Sequence, residues 1–263
     1  MTKIHPSAIV SNRASIGANV EIGPFCVVGD DVKIGDNTIL KSHVVIEGDT
    51  QIGRGNVIFP FAVIGVVPQD LKFAGEKARL VIGDNNKIRE HATIHLGTKD
   101  GGMITQIGSN CLLMVGVHIA HDCKVGDGVI LANNATLAGH VQVGDHAVIG
   151  GLSAIHQFVR IGSGAMIGGM SGVEHDVIPY GLVMGERASL AGLNLVGMKR
   201  QNLDREEIHQ LRNFFKQVFE ENDENFITKV NKISLDFNSK VVAQVVDFVK
   251  SQTSRQFCQM KKK

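Results

Sequence analysis

Residues 16–40, IGANVEIGPFCVVGDDVKIGDNTIL, decide the fold, because an aliphatic residue returns at every sixth position: Ile16, Ile22, Val28, Ile34 and Leu40. Outward from this stretch the series takes in Val10 and Ile4 on one side and Ile46, Ile52, Ile58 and Ile64 on the other, eleven in succession. It returns at Ile82, Ile88 and Ile94. Displaced by one residue, it then runs through Ile107, Leu113, Ile119, Val125, Leu131, Leu137, Val143, Ile149, Ile155, Ile161, Ile167 and Val173. A period of six matches neither a helical turn of about 3.6 residues nor a heptad. It suits a short strand and a bend repeated along a coil, with the aliphatics stacked inward.

The residues between the aliphatics agree. Glycine often follows the aliphatic, as at Gly17, Gly23, Gly35, Gly53, Gly126 and Gly144, where the backbone must bend without a side chain in the way. The fourth residue after the aliphatic is small, and Cys26, Cys111 and Cys123 share that position, which makes them core fillers. No CxxC pair or zinc-ligand spacing is present, so the four cysteines read as reduced thiols. The absence of Trp, a single Tyr and 30 Gly also fit a tightly turned repeat better than an aromatic-filled core.

The 27 Lys and Arg nearly balance the 26 Asp and Glu, so no global field argues for nucleic acid as a partner. Residues 1–6 lack the apolar run of a signal peptide, and no segment approaches the roughly 20 apolar residues of a membrane span. The expected location is the cytoplasm.

The repeat predicts one domain over residues 1–190, interrupted at 65–81 and 95–106 by loops of the kind that carry binding groups. Residues 191–263 predict a helical region. Asp204 and Glu207 form a capping-box start, Ile208, Leu211, Phe215 and Val218 follow at helical spacing, and Val241, Val242, Val245, Val246 and Val249 mark a second amphipathic helix. Lys199 and Arg200 are expected at the head of a surface helix, and Arg255 with residues 261–263 as a basic tail.

This pattern resembles the hexapeptide-repeat acyltransferases, and the resemblance implies a mainly β fold, a left-handed parallel β-helix with about eighteen residues per coil. On that map His121, His140 and His156, 19 and 16 positions apart, fall near one edge on successive coils, with His118 just before the first. A column of imidazoles is a plausible place for a proton-transferring base. His5, His43, His91, His95, His146, His175 and His209 share no such column and are assigned structural or solvated roles.

The segments LLMVGVHIAHDC (112–123), ILANNATLAGHV (130–141), GGLSAIHQFV (150–159) and VVPQDLKFAGE (66–76) sharpen the resemblance. They are similar to the UDP-N-acetylglucosamine 3-O-acyltransferases of lipid A biosynthesis over nearly the whole chain. The resemblance implies transfer of a 3-hydroxyacyl group from acyl carrier protein to the sugar 3-hydroxyl by a homotrimer that uses no cofactor or metal. It assigns His121 as general base, Asp122 as its orienting partner and the Gly139 N–H as oxyanion donor. It assigns Gln69, Asp70, Lys72, His118, His140, His156, Gln157, Asn194 and Arg200 to substrate binding. Gly169 and Arg187 fall at positions that set acyl-chain length, and Gly169 implies a relatively long chain.

The chain departs from the family pattern at Val196, where an acidic residue is usual, at Gln201, where a second basic residue is common, and at Arg187, where histidine is usual. Three alternatives use the same scaffold. They are a β-helix zinc carbonic anhydrase, disfavoured by the short spacing of His118 and His121; a related N-acyltransferase, which carries a domain before its repeats; and a non-catalytic scaffold, which needs no histidine column.

Overall fold

A computed structural model describes residues 1–219, 224–251, 253 and 255–261. Among them the repeats form a triangular prism of three parallel sheets, with eleven, nine and eight strands, the eleven-stranded sheet ending in an antiparallel pair. The first face starts at Lys3–Ile4, the second at Ile9–Val10 and the third at Ser15–Ile16. One coil sets the register, since Lys3 pairs with Glu21 and Ile4 with Ile22.

Each two-residue strand sends one side chain inward, so the sixth-position aliphatics stack in columns such as Leu40, Ile58, Ile88, Leu113, Leu131 and Ile149, all buried. Burying each contributes about 1.5–3 kcal/mol. The fourth position after the aliphatic is not always small. It also holds buried Asn56 and Asn86, because the backbone there leaves donors and acceptors for side chains to satisfy. Asn56 Nδ2 donates to the Gly83 carbonyl at 2.9 Å and Asn86 Nδ2 to the Gly108 carbonyl at 3.0 Å, while Asn56 Oδ1 accepts from Asn86 N at 2.9 Å. The thiols of Cys111 and Cys123 lie in the same layer, and burial pushes them up to about 11 and about 12.

The bends explain the glycines. A Cβ on Gly35 would lie 2.6 Å from the carbonyl carbon of Gly53 on the next coil, closer than real Cβ contacts. The corners require left-handed backbone, which Asn tolerates best, and the edge between the third and first faces uses Asn19, Asn37, Asn85 and Asn110 there. On the edge between the first and second faces the left-handed residues are Phe25, His43, Phe61 and His91. Their rings stack at 5.0, 5.0 and 5.3 Å, so His43 and His91 do share a column, one completed by phenylalanines.

Both inserted loops leave the edge between the second and third faces. The second-face strands Val63–Val66 and Thr93–His95 run directly into loops 67–78 and 96–103, which return to the third face as Arg79–Ile82 and Ile104–Ile107. Asp49 therefore pairs with Arg79, and Arg79 with Ile104.

The prism ends in a hairpin, Gly181–Met184 against Ser189–Leu193, followed by α1 (Leu195–Arg200), α2 (Arg205–Val218), α3 (Phe226–Ile233) and α4 (Lys240–Lys250). Leu211, Phe214 and Val218 of α2 and the five valines of α4 are buried in one continuous core. Lys199 and Arg200 lie in the last turn of α1 rather than at its head, where cations complement the helix dipole. The capping box is also divided. Asp204 accepts from Glu206 N at 2.8 Å, while Glu207 reaches across to accept from Ser239 Oγ at 2.5 Å at the start of α4. The terminal segment returns to the prism through bridges of Phe257 to Asp176 and Met260 to Leu190. Of the expected basic tail, Lys262 and Lys263 lie outside the described residues. No helix among the described residues is long and apolar enough to cross a membrane.

Candidate active site

The edge between the second and third faces gathers most of the expected site residues. Asp122, His140 and Phe158 are its left-handed corner residues, with φ of 60°, 63° and 63°. The His140 ring stacks on Phe158 at 4.4 Å and meets His121 edge-on at 5.0 Å. The stacked column is therefore Asp122, His140 and Phe158, while His121 leans on it from the preceding position and His156 stands two residues before Phe158. His121, His140 and His156 thus lie near one edge on successive coils, as expected, although only His140 occupies the corner position itself.

His121 is 8% exposed, and the Asp122 side chain is fully buried beside it. Asp122 Oδ2 lies 2.8 Å from His121 Nδ1 and accepts from Thr98 Oγ1 at 2.5 Å, while Oδ1 accepts from Thr98 N at 2.8 Å. The loop 96–103 thus clamps the carboxylate, and the carboxylate accepts a hydrogen bond from His121 Nδ1. Nε2 is left with its lone pair. A Cβ on Gly139 would stand 2.6 Å from that Nε2 and 2.5 Å from Cε1, so only glycine leaves the working edge of the ring open.

His140 is held below its ordinary pKa mainly by burial, with the His121 ring acting in the same sense and Asp122 opposing. His118 is lowered by burial and then by His95. His118 Nδ1 lies 2.8 Å from Thr93 Oγ1, and its ring meets that of His95 at 5.2 Å. His95, 5% exposed and bonded through Nδ1 to the Val67 carbonyl at 2.8 Å, is a site neighbour that sequence reasoning missed, as is Thr98. The longer coil around the loops puts His95 and His118 out of eighteen-residue register. The pairing of Thr93 with His118 is the signal that reveals them.

The two loops meet over this edge. Lys72 Nζ approaches Asp100 Oδ2 at 3.7 Å, Asp70 Oδ1 accepts from Lys72 N at 3.0 Å, and Asp70, Lys72, Glu76, Thr98, Lys99 and Asp100 line a cavity of about 250 Å³. Gln69 is exposed beside it. A second cavity, about 240 Å³, is lined by Asp122, His140, Phe158, Lys124, Gln142 and Arg160. A larger cavity of about 550 Å³ lies between the third face and α4 and holds none of the histidines. His156 and Gln157 are exposed on the same edge, where Arg255 of the terminal segment meets them.

Ligand atoms of His121, Asp122 and His140 lie within 4.8 Å of one another, a spacing that could hold a metal ion. The carboxylate, however, already accepts from both Thr98 donors and the His121 ring, so this arrangement serves hydrogen bonding.

The remaining expected residues stand elsewhere on the chain. Asn194, 9% exposed, caps α1 by accepting from Gly197 N at 2.9 Å and donates to the Gly164 carbonyl at 2.9 Å, at the edge between the third and first faces. Arg200 is exposed at the end of α1. Gly169 lies on the edge between the first and second faces, and Arg187 Nη1 pairs with Glu174 Oε2 at 3.2 Å.

The chain is similar to known proteins over nearly its whole length. The family model for UDP N-acetylglucosamine O-acyltransferase, domain 2, matches residues 176–258, and the bacterial transferase hexapeptide model matches 13–48 and 104–139. An acyl-[acyl-carrier-protein]–UDP-N-acetylglucosamine O-acyltransferase of Rickettsia canadensis is 48% identical over 99% of each chain. One from Paracoccus denitrificans is 51% identical over 76% of each. The solved UDP-N-acetylglucosamine acyltransferase of Campylobacter jejuni superposes with a TM-score of 0.93 at 41% identity, covering 98% of this chain and 100% of that one.

Proposed function

The chain belongs to the acyl-[acyl-carrier-protein]–UDP-N-acetylglucosamine O-acyltransferase family, and from that membership we propose that it moves a 3-hydroxyacyl group from acyl carrier protein to the 3-hydroxyl of UDP-N-acetylglucosamine, the first step of lipid A biosynthesis. The observation that carries the mechanism is the His121 and Asp122 pair with Gly139 against the free edge of the ring.

An alcohol is a weak nucleophile at neutral pH, so a positioned base must remove its proton as it attacks. His121 Nε2 takes that proton, and the sugar oxygen bonds to the thioester carbonyl carbon. The carbonyl oxygen becomes an oxyanion and accepts from the Gly139 N–H, which has no hydrogen-bond partner among the described residues. Collapse breaks the carbon–sulfur bond, and the carrier thiolate recovers the proton from His121. Asp122 stabilises the imidazolium between these steps. His118, His140, His156, Gln157, Gln69, Asp70 and Lys72 bind sugar, phosphate and acyl group around it.

Asn194 and Arg200 lie at a different edge of the prism from His121, and Gly169 at a third. A site that uses all of them draws on more than one chain, which supports a homotrimer with sites between neighbouring prisms. Light scattering should give three times the chain mass. The reaction is tested by assaying transfer from 3-hydroxyacyl carrier protein to UDP-N-acetylglucosamine with wild type and His121→Ala. A loss of about a hundredfold or more in a folded variant is expected. No transfer by wild type overturns the substrate assignment, and an active variant overturns the base.

A further inference from the structure

Arg255 reaches the candidate site from the far end of the chain. Its backbone is pinned on both sides: Arg255 N donates to Thr253 Oγ1 at 3.0 Å, Thr253 Oγ1 donates to Asp176 Oδ2 at 2.6 Å, and Cys258 N donates to the Asp176 carbonyl at 2.8 Å. Asp176 is itself fully buried and paired with Arg160 at 2.7 Å. So anchored, the guanidinium forks onto neighbouring acceptors. Nε donates to the Gln157 carbonyl at 3.1 Å, and Nη2 lies 2.7 Å from His156 Nδ1.

Arginine has only N–H donors and keeps its charge, so His156 Nδ1 must be the acceptor and the ring proton must sit on Nε2. The 3.3 Å approach of Nδ1 to the Gln157 carbonyl does not contradict this, because Nδ1 offers its lone pair to the nearer Arg255 Nη2 and so has no proton to donate there. His156 is exposed, and its Nε2 has no protein partner among the described residues. The contrast with His121 is direct. A carboxylate on Nδ1 leaves His121 Nε2 a proton acceptor, whereas a guanidinium on Nδ1 makes His156 Nε2 a donor.

We propose that Arg255 is a positioning residue that fixes His156 as an Nε2–H donor on the edge that carries His121. The donor suits an oxygen-rich anionic ligand, and that this ligand is the sugar diphosphate rests on the proposed function. The guanidinium adds its own attraction for negative charge.

The test reads the tautomer without relying on turnover. Solid-state ¹⁵N NMR of the full chain labelled at histidine, with His156 assigned by its loss in His156→Gln, should show wild-type Nδ1 unprotonated and Nε2 protonated. Arg255→Gln should mix the tautomers and raise KM for UDP-N-acetylglucosamine by about tenfold with kcat within about twofold, and Arg255→Lys should recover part of the KM. An unchanged unfolding temperature in Arg255→Gln would show the terminal segment still docked. A protonated Nδ1 in wild type, or a spectrum that Arg255→Gln leaves unaltered, overturns the proposal. A wild type that holds the tautomer yet transfers nothing supports the fork and overturns the proposed reaction.

Discussion

Asp122 directly follows His121 in the chain, yet its Oδ2 comes within 2.8 Å of the His121 Nδ1 because Asp122 occupies the left-handed corner with φ of 60°. In extended backbone the two side chains would point to opposite faces. The corner turns them toward each other, and Thr98 holds the carboxylate through two donors.

Asp122→Asn should therefore inactivate without unfolding. Asparagine tolerates the left-handed corner, and its carbonyl oxygen can keep the bond from Thr98 N. The amide NH₂ then faces His121 Nδ1, which must become the acceptor, and the ring proton moves to Nε2. We expect kcat to fall by about a hundredfold or more with little change in KM, measured beside thermal unfolding. Near-wild-type kcat would show that the pair does not orient the base.

Gly139→Ala tests the open edge of the same ring. Its Cβ would stand 2.5 Å from His121 Cε1 and 2.6 Å from Nε2, so the ring must tilt away from Asp122 or lose access to the alcohol. We expect at least about a tenfold loss of kcat/KM, on the scale of a misplaced catalytic group, with the far-ultraviolet circular dichroism of the β-helix unchanged.

The repeat made the fold legible, because stacking needs an aliphatic at every sixth position and little else imposes that spacing. It made the site only partly legible. An eighteen-residue map holds while coils are regular, and the loops that bring Lys72 and Asp100 together also lengthen the coils, which hid His95 behind His118. His156 was found, but its partner Arg255 was not, because a contact across 98 and 99 positions leaves no local pattern. The capping box misled for a related reason: Glu207 satisfies the start of α4 rather than of its own helix.

The buried histidines should also make stability depend on pH. His118 and His140 both titrate below the ordinary value of 6.5 in the folded chain, chiefly because burial disfavours the charged ring. As pH falls through 6.5 the unfolded chain takes up these protons first, so their contribution to stability is present above that pH and is lost progressively below it. The unfolding temperature should drop between about pH 7.5 and pH 5.5, and the drop should shrink in a His118→Asn, His140→Asn double variant. Equal drops in the two proteins would refute this origin.

Acyl-chain preference should turn on Gly169. A Cβ built there would approach the Gly151 carbonyl oxygen at 3.3 Å, tight but with no other side chain in the way, so the position admits a larger residue with a small adjustment. The glycine therefore leaves space on the edge between the first and second faces that a bulky side chain would fill. Arg187, the other residue expected at the end of the acyl groove, is tied to Glu174 at 3.2 Å, an exposed pair whose worth is small. If Gly169 sets the groove end, wild type prefers a fourteen-carbon 3-hydroxyacyl donor to a ten-carbon one, and Gly169→Met reverses the order by lowering kcat/KM for the long donor alone. If Arg187 sets it instead, Gly169→Met leaves the ratio of the two donors unchanged, and Arg187→Ala shifts it toward the longer one.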